Sequence, residues 1–276
     1  MPASPTLTLA AGPATVVIDP VNGGRLAAWS VWGMQLLEAR TPGNEPYGWG
    51  SFAMVPYAGR IRQGKFRFDG EQHEQPITLG AHAIHGLGTQ VAWDVLMEGD
   101  SWAVLGLRLH EHWPFGGTVT QLIHLRADRL VQQLTVHAAD RDMPATLGWH
   151  PWFRRRIERG GPLELETDMT DARWFEKDRE GIPTGRLRPV RPRPWDDCFR
   201  DVGAITLRWP GALRIEVEHD CDDVVLYDPP HAICVEPQSG PPDAFTLDPD
   251  GCRVAAGSSL ERTVSWRWHL ASAPAW

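Results

Sequence analysis

The feature that most constrains the fold of this chain is a two-residue alternation of apolar and polar side chains. It recurs in five segments: residues 102–110, 118–125, 130–137, 213–218 and 264–270. Successive side chains of a strand point to opposite faces of its sheet, so each segment predicts a half-buried strand. In residues 118–125, for example, Val119, Gln121, Ile123 and Leu125 share one face.

Turn residues separate these segments at short intervals, as at Asp69-Gly70 and Glu98-Gly99-Asp100. The 276 residues include 27 Gly and 24 Pro, which leave little room for long helices. Many short strands with tight turns predict an all-β fold, a large antiparallel β-sandwich with few short helices. No break in composition divides the chain, so we expect a single domain over residues 1–276. Within it, the proline- and arginine-rich residues 182–195 predict an extended surface loop.

Charge and composition exclude several classes of partner. The net charge of −8 and the pI near 5.7 oppose binding to nucleic acid or to an anionic membrane. No apolar run approaches the roughly 20 residues of a spanning helix, and the first residues do not resemble a signal peptide. The four cysteines lack a Cys-x-x-Cys spacing, which indicates reduced thiols in a cytoplasmic protein rather than a zinc ribbon or a disulfide framework.

Glu236 is the most informative polar residue, because it follows the apolar residues 232–235 and precedes Pro237. Proline has no N–H for a sheet ladder, so we expect the strand to end at Glu236. Its side chain would lie on the face opposite Ile233 and Val235. A carboxylate at a strand end, facing a Pro/Gly-rich turn, is a candidate general base.

Two histidine motifs offer partners for this carboxylate. His82 and His85 lie three residues apart in a glycine-rich segment, where they would be zinc ligands or contacts to a substrate. A zinc site would need further ligands at compatible positions. His150 stands between Trp149 and Pro151, which is typical either of a buried structural histidine or of a site residue in a partly apolar setting.

Two further motifs carry polar side chains that suit a ligand. Arg60 follows a turn of small residues and offers five N–H donors for hydroxyls or a carboxylate, although a surface arginine is the alternative. Asp196 and Asp197 stand between Trp195 and Cys198, and a solvated turn is the alternative there.

Taken in chain order, these motifs resemble the aldose 1-epimerase (galactose mutarotase-like) family over nearly the whole chain. The matching stretches are Asn22-Gly23-Gly24-Arg25-Leu26, Gly59-Arg60-Ile61, His85-Gly86, His150-Pro151-Trp152-Phe153, Asp196-Asp197-Cys198-Phe199 and Glu236-Pro237-Gln238. Each motif alone is short. Six of them in the family's order, on a chain that independently predicts strands, make the resemblance specific.

The resemblance implies a β-supersandwich that holds a sugar in an open cleft without a cofactor or a metal. It implies that Glu236 is the general base and His150 the general acid. His85 is similar to the family's second histidine near the ring oxygen. Arg60 and Asp196 match the positions that hold sugar hydroxyls, with Asp196 favoured over Asp197 by its spacing to Phe199.

The chain departs from the family pattern at His82, where many members have Asn, at Leu87, where many have Gly, and at Trp152, where Tyr is frequent. All three positions bear on the wall that contacts the sugar, so they affect which sugar is bound more than which reaction occurs. We include His82 among the expected substrate-binding residues. The negative charge of Glu236 is expected to favour the protonated form of His150.

The expected activity is that of an isomerase, an aldose 1-epimerase (mutarotase) that interconverts the α and β anomers of a free hexose or related aldose. One alternative is an epimerase of hexose 6-phosphates, which would need a basic pocket from residues 154–156 or 186–193. Another is a sugar-binding protein without catalysis on the same fold. The expected partner is a small-molecule sugar, and the expected assembly is a monomer or a homodimer.

Overall fold

The computed structural model describes residues 6–109 and 112–271 and is built almost entirely of strands. His110 and the ends of the expected 1–276 domain lie outside the described residues, and the assignment of the whole chain to one domain stays a prediction. The strands are β1 (Leu7–Ala11), β2 (Ala14–Asp19), β3 (Arg25–Val31), β4 (Met34–Gln35), β5 (Ser51–Met54), β6 (Arg60–Ile61), β7 (Lys65–Phe68), β8 (Glu71–Glu74), β9 (Ala83–Ile84), β10 (Asp94–Gly99), β11 (Trp102–Arg108), β12 (Thr118–Leu125), β13 (Arg129–His137), β14 (Met143–Pro144), β15 (Gly148–Pro151), β16 (Phe153–Arg154), β17 (Glu164–Thr167), β18 (Arg173–Lys177), β19 (Pro183–Pro189), β20 (Asp196–Arg200), β21 (Ile205–Trp209), β22 (Leu213–His219), β23 (Asp223–Tyr227), β24 (Ala232–Gln238), β25 (Arg253–Val254) and β26 (Ser259–Leu270). A 3₁₀ turn spans Arg62–Gly64, and the helix α1 spans Ala244–Leu247.

Two antiparallel sheets contain most of these strands. The larger has twelve, in the order β1-β2-β3-β5-β15-β24-β23-β20-β18-β19, with β4 beside β3 and β16 beside β24. The smaller has eight, in the order β10-β11-β12-β13-β26-β22-β21-β17. The expectation of an all-β sandwich is therefore confirmed. No helix in the described ranges is long and apolar enough to cross a membrane.

Large aromatic side chains fill the space between the two sheets. Trp29, on β3 of the larger sheet, lies with its ring centroid 6.5 Å from that of Trp266 and 6.0 Å from that of Trp268, both on β26 of the smaller sheet. Phe153 on β16 lies 5.3 Å from Trp266. Most of the buried area of these rings is apolar, so their burial is a main source of stability for the sandwich.

The alternation in the sequence agrees with the strands that form. β12 spans the expected residues 118–125, and its buried face carries Val119, Gln121, Ile123 and Leu125. β26 begins at Ser259, five residues earlier than the alternation indicated, because residues 259–263 pair with β13; the pairing with β22 covers residues 264–270.

The expectation that a strand ends at Glu236 is wrong. β24 continues through Pro237 to Gln238, and its ladder with β23 includes Val224↔Pro237 and Asp223↔Gln238. On its other side β24 pairs with β15 at Gly148↔Gln238 and with β16 at Phe153↔Ile233 and Arg154↔Ala232, and Pro237 lies in the unpaired stretch between these contacts. The sparse pairing on that side accommodates a residue without an N–H, since each strand residue directs its N–H to one side only.

The expectation of a loop over residues 182–195 is partly wrong. Pro183–Pro189 forms β19, the outermost strand of the larger sheet, paired with β18. Its residues after Pro183 are exposed, as expected. Proline is tolerated at a sheet edge because no further strand requires its N–H.

Removal of the Trp29 ring should destabilise the sandwich strongly. Trp29 is 1% exposed, so Trp29→Ala should lower the free energy of unfolding by about 3–5 kcal/mol through lost burial and an unfilled cavity. Trp32, in the turn between β3 and β4, is 41% exposed. Trp32→Ala should change the free energy of unfolding by no more than about 0.5 kcal/mol. Urea unfolding of both variants measures the difference, and equal losses would contradict this role for Trp29.

Candidate active site

A cleft of about 390 Å³ opens over the larger sheet. Strand residues His150 of β15, Glu236 of β24, Asp196 of β20 and Tyr227 of β23 form its floor and one side. The other walls come from residues 43–48, 59–60, 78–79 and 84–85, with Trp152, Val225, Gln238 and Pro242. Five of the six expected site residues therefore meet in one cleft, although they are far apart in sequence.

Glu236 and His150 form the centre of this cleft. His150 Nε2 lies 3.3 Å from Glu236 Oε1, and the two residues are only 4% and 2% exposed, respectively. Gln238 Nε2 donates to Glu236 Oε2 at 3.4 Å. Ile233 and Val235 point to the main hydrophobic core, so Glu236 lies on the opposite face of β24, as its position in the strand indicated.

Burial shifts the pKa values of these two groups in opposite directions. Desolvation raises the pKa of the Glu236 carboxyl well above its usual range; the charge of Asp196 adds to this effect, and Arg60 opposes it. Desolvation, followed by the charge of Arg25, lowers the pKa of His150 to about 3. The favoured state of the pair is therefore uncharged, with the proton on Glu236. The expectation that Glu236 would favour protonated His150 is not met, because desolvation lowers the pKa of His150 and raises that of Glu236.

His85 reaches the cleft from a strained turn. Its φ is +61°, in the left-handed region, and its N–H donates to Gly59 O at 2.9 Å. The next residue must be glycine, since a Cβ on Gly86 would lie 2.0 Å from Val55 O. Desolvation and the neighbouring His150 hold the pKa of His85 well below its usual range, so its imidazole is neutral.

Aromatic rings hold the two imidazoles in place. Trp152 stacks on His150 with 5.2 Å between ring centroids and 10° between planes, and Phe52 lies 4.9 Å from the same imidazole. The imidazole of His85 meets that of His150 edge-on at 5.0 Å, and the Tyr47 ring lies 5.6 Å from His85. These contacts leave little freedom to rotate either imidazole.

Several buried polar atoms at the cleft have no hydrogen-bond partner within residues 6–109 and 112–271. They are His150 Nδ1, His85 Nδ1, Trp152 Nε1 and Gln238 Oε1. An unpaired polar atom away from water is costly, so atoms of this kind are expected to contact a polar ligand.

Arg60 and Asp196 lie at the entrance of the cleft. Arg60 is half-buried on β6, which pairs with β9 through Arg60↔Ile84. Asp196 is exposed. Asp197 is instead 1% exposed. Its carboxylate lies 3.0 Å from Lys177 Nζ and accepts a hydrogen bond from Trp174 Nε1 at 3.0 Å. Asp196 is thus the aspartate of the pair that lines the cleft.

His82 is not among the residues that line the cleft. Its Nδ1 accepts a hydrogen bond from the Gln63 N–H at 3.1 Å, and its backbone closes a turn with Leu79. The geometry therefore assigns His82 to holding the loop that carries His85. A contact between His82 and the sugar stays a prediction.

Arg25 supports the site in a way that its sequence motif did not reveal. Its guanidinium is 1% exposed and donates to Pro46 O at 3.0 Å and Thr89 O at 2.9 Å, and it lies 4.1 Å from the ring centroid of Trp49. Pro46 lines the cleft, so Arg25 ties one wall of the cleft to the body of the larger sheet. The Gly-Gly-Arg stretch was visible in the sequence, but the carbonyl partners are 21 to 64 residues away.

A larger cavity of about 620 Å³ lies elsewhere, lined by residues that include Arg200, His219, Cys221 and Arg262. Its two arginines are neutralised, Arg200 by Asp223 at 2.9 Å and Arg262 by Asp222 at 3.2 Å. It has no counterpart of the close contact between acid and base at Glu236 and His150, so the smaller cleft is the candidate active site.

The aldose 1-epimerase family model matches residues 5–267 of this chain. The chain belongs to the aldose 1-epimerase family. The resemblance found in the sequence motifs is confirmed. No curated protein sequence matches the chain.

Solved structures from aldose 1-epimerase relatives share its fold. A galactose mutarotase-like protein from Clostridium acetobutylicum has a TM-score of 0.84 at 16% identity, covering 96% of this chain and 95% of its own. Galactose 1-epimerase from Lactobacillus acidophilus has a TM-score of 0.79 at 18% identity, covering 97% and 95%. An aldose epimerase homologue from Caenorhabditis elegans has a TM-score of 0.82 at 17% identity, covering 98% and 100%. At these identities the similarity shows the fold.

Replacement of the buried carboxyl should change how stability depends on pH. Because the folded-state pKa of Glu236 lies above its unfolded value, the wild-type protein loses stability as pH rises from 4.5 through the folded-state pKa. Glu236→Gln removes this loss, so its stability relative to wild type should increase with pH, by at most about 1.4 kcal/mol per pH unit.

Urea unfolding between about pH 5 and pH 9 measures this difference. The pKa of His150 is lowered in the folded state, so its contribution to protein stability has the opposite sign and is lost as pH falls below the unfolded-state pKa of His150. Both proteins retain His150, so this contribution cancels to first order when they are compared. Glu218→Gln, at an exposed position of β22, is the matched control and should show a constant difference from wild type. A constant difference for Glu236→Gln as well would contradict a raised pKa.

Proposed function

We propose that this protein is an isomerase, an aldose 1-epimerase that interconverts the α and β anomers of a free hexose or related aldose by opening and closing the sugar ring. The observation that carries the proposal is the 3.3 Å contact between Glu236 and His150 at the base of a sugar-sized cleft. Anomer exchange requires one group that removes the proton of the C1 hydroxyl and one that protonates the ring oxygen.

Ring opening in this cleft begins from ionised Glu236 and protonated His150. Glu236 removes the C1 hydroxyl proton, His150 gives its proton to the ring oxygen, and the bond between C1 and that oxygen breaks. Rotation about the C1–C2 bond then exposes the other face of the aldehyde. When the ring closes, His150 recovers its proton from the hydroxyl and Glu236 returns its proton to C1–O.

The pKa shifts make both groups reactive in this cycle. A carboxylate with a raised pKa is a stronger base, and an imidazolium with a lowered pKa is a stronger acid. The starting form holds the same single proton as the favoured uncharged form, so a proton shift within the pair generates it. Each such group typically contributes about 10²–10⁴ in rate.

Arg60, Asp196 and His85 are assigned to binding the sugar hydroxyls. Arg60 offers donors, Asp196 offers acceptors, and neutral His85 offers one of each. Trp152 stacks between His150 and His231, and its N–H, which has no hydrogen-bond partner among the described residues, is a donor for a sugar hydroxyl at the same wall.

The charges in the cleft favour an unphosphorylated sugar. Arg60 is the one Arg or Lys among the described lining residues, and the carboxyls of Glu45, Asp196 and Glu236 line the same cleft. The arginines considered for a phosphate site do not line the cleft, and most are paired with acids. These pairs are Arg154 with Glu158, Arg155 and Arg193 with Asp228, Arg186 and Arg188 with Glu176, and Arg191 with Asp197.

A sugar-binding protein without catalysis is the weaker alternative. Hydroxyl recognition would need Arg60, Asp196 and the aromatic wall, but it would not need an acid and a base in contact away from water. Burial of the ionisable carboxyl of Glu236 costs stability, and sugar binding alone does not require it. The buried Glu236 therefore favours a role in proton transfer. The cytoplasmic location stays a prediction, as does the choice between monomer and homodimer.

Removal of either proton-transfer group should abolish most mutarotation. Glu236→Gln and His150→Gln should each lower kcat/KM by about 10²-fold or more, because neither amide transfers a proton at neutral pH. Polarimetry of freshly dissolved α-galactose and α-glucose measures the rate, and calorimetry measures whether sugar binding survives. Glu218→Gln should retain wild-type activity. Full activity of Glu236→Gln would remove Glu236 from the role of base.

The substrate should be a neutral sugar. We expect kcat/KM for glucose or galactose to exceed that for glucose 6-phosphate, because Arg60 is the one Arg or Lys among the described lining residues and the Asp196 carboxylate opposes a phosphate dianion. Coupled or polarimetric assays of the three sugars on the same enzyme preparation measure the ratio. A clear preference for the phosphate ester would identify the protein as a hexose-6-phosphate epimerase instead.

A further inference from the structure

The catalytic pair has a third neighbour that the proposed reaction does not use. Cys234 lies two residues before Glu236 on β24, so both side chains project from the same face of the strand. The ligand atoms of Cys234, His150 and Glu236 all lie within 4.8 Å of one another. The three residues are 0%, 4% and 2% exposed.

The spacing of these three ligand atoms approaches that of a zinc site. Zinc binds His N at about 2.0–2.1 Å, carboxylate O at about 2.0–2.2 Å and Cys S at about 2.3 Å in a tetrahedron, so adjacent ligand atoms are about 3.3–3.8 Å apart. His150 Nε2 and Glu236 Oε1 are 3.3 Å apart, which already suits a shared ion. The thiol needs at most a small side-chain movement to join them. Three protein ligands leave the fourth position for water or another small ligand.

We propose that Cys234, His150 and Glu236 form an inhibitory site for a thiophilic divalent cation such as Zn²⁺. The ion reaches the site through the cleft, which both His150 and Glu236 line. On binding, Cys234 coordinates as the thiolate and Glu236 as the carboxylate, so each releases one proton to solvent. The ion occupies both proton-transfer groups, so ion and sugar exclude each other.

Cys234 determines the selectivity of this site. A single histidine and a single carboxylate bind many divalent ions weakly, whereas a thiolate adds strong preference for soft or borderline ions such as Zn²⁺ and Cd²⁺ over Mg²⁺. Cys198 is also buried, on β20, which β23 separates from β24, and it does not belong to the group of three. In the part of the chain described by the structure, His82 and His85 do not join such a group either.

The test uses Cd²⁺ as a spectroscopic probe on metal-free protein. Coordination by a thiolate produces an ultraviolet charge-transfer band, and calorimetry gives the number of ions bound. We expect wild type and Cys198→Ala to bind one ion with this band. Cys234→Ala and Cys234→Ser should lose the band and bind Cd²⁺ and Zn²⁺ roughly tenfold or more weakly. The serine variant keeps the side-chain size in case the alanine variant folds poorly.

The inhibitory part of the proposal rests on the proposed function, but the binding part does not. Zn²⁺ should inhibit mutarotation by wild type and Cys198→Ala competitively with sugar, with recovery after EDTA, and should inhibit Cys234→Ala roughly tenfold more weakly relative to its own metal-free rate. Absence of mutarotation would overturn the proposed function while the Cd²⁺ band still tests the site. An equal band and equal affinity in wild type and Cys234→Ala would overturn the metal site itself.

Discussion

The buried contact between Glu236 and His150 is the interaction on which the rest of the site depends. Two ionisable groups away from water are costly to keep, so their surroundings must hold both in place. Phe52 and Trp152 enclose the imidazole, and Gln238 donates to the carboxyl. This burial shifts both pKa values toward the uncharged forms, and the same shifts make the charged form of the pair a strong acid and a strong base.

The topology of the larger sheet explains how the pair is brought together. β15 carries His150 and β24 carries Glu236, and the two strands are neighbours that pair only at Gly148↔Gln238. β20, two strands from β24 in the same sheet, brings Asp196 to the cleft, while β6 and the turn after β9 supply Arg60 and His85. The smaller sheet contributes the opposite wall of the core, which holds the larger sheet in shape without entering the cleft.

The chemistry that suits the cleft to proton transfer also makes it open to metal ions. A neutral imidazole and a carboxyl 3.3 Å apart are a partial zinc site, and the third ligand is the Cys234 thiol on the same strand face. A reaction of this kind requires both side chains to be free, so a bound cation acts against it.

The sequence alone determined the strand content, the face of Glu236 and the family, because alternation and short motifs are local properties of the chain. Five of the six site residues expected from the sequence line the same cleft. β24 continues through Pro237 because neither β15 nor β16 pairs with that residue. No local sequence pattern contains this information. The choice between Asp196 and Asp197, the carbonyl partners of Arg25 and the position of His82 depended likewise on residues far along the chain. The direction of the His150 pKa shift was decided by tertiary structure, since only the folded sheet determines how completely water is excluded.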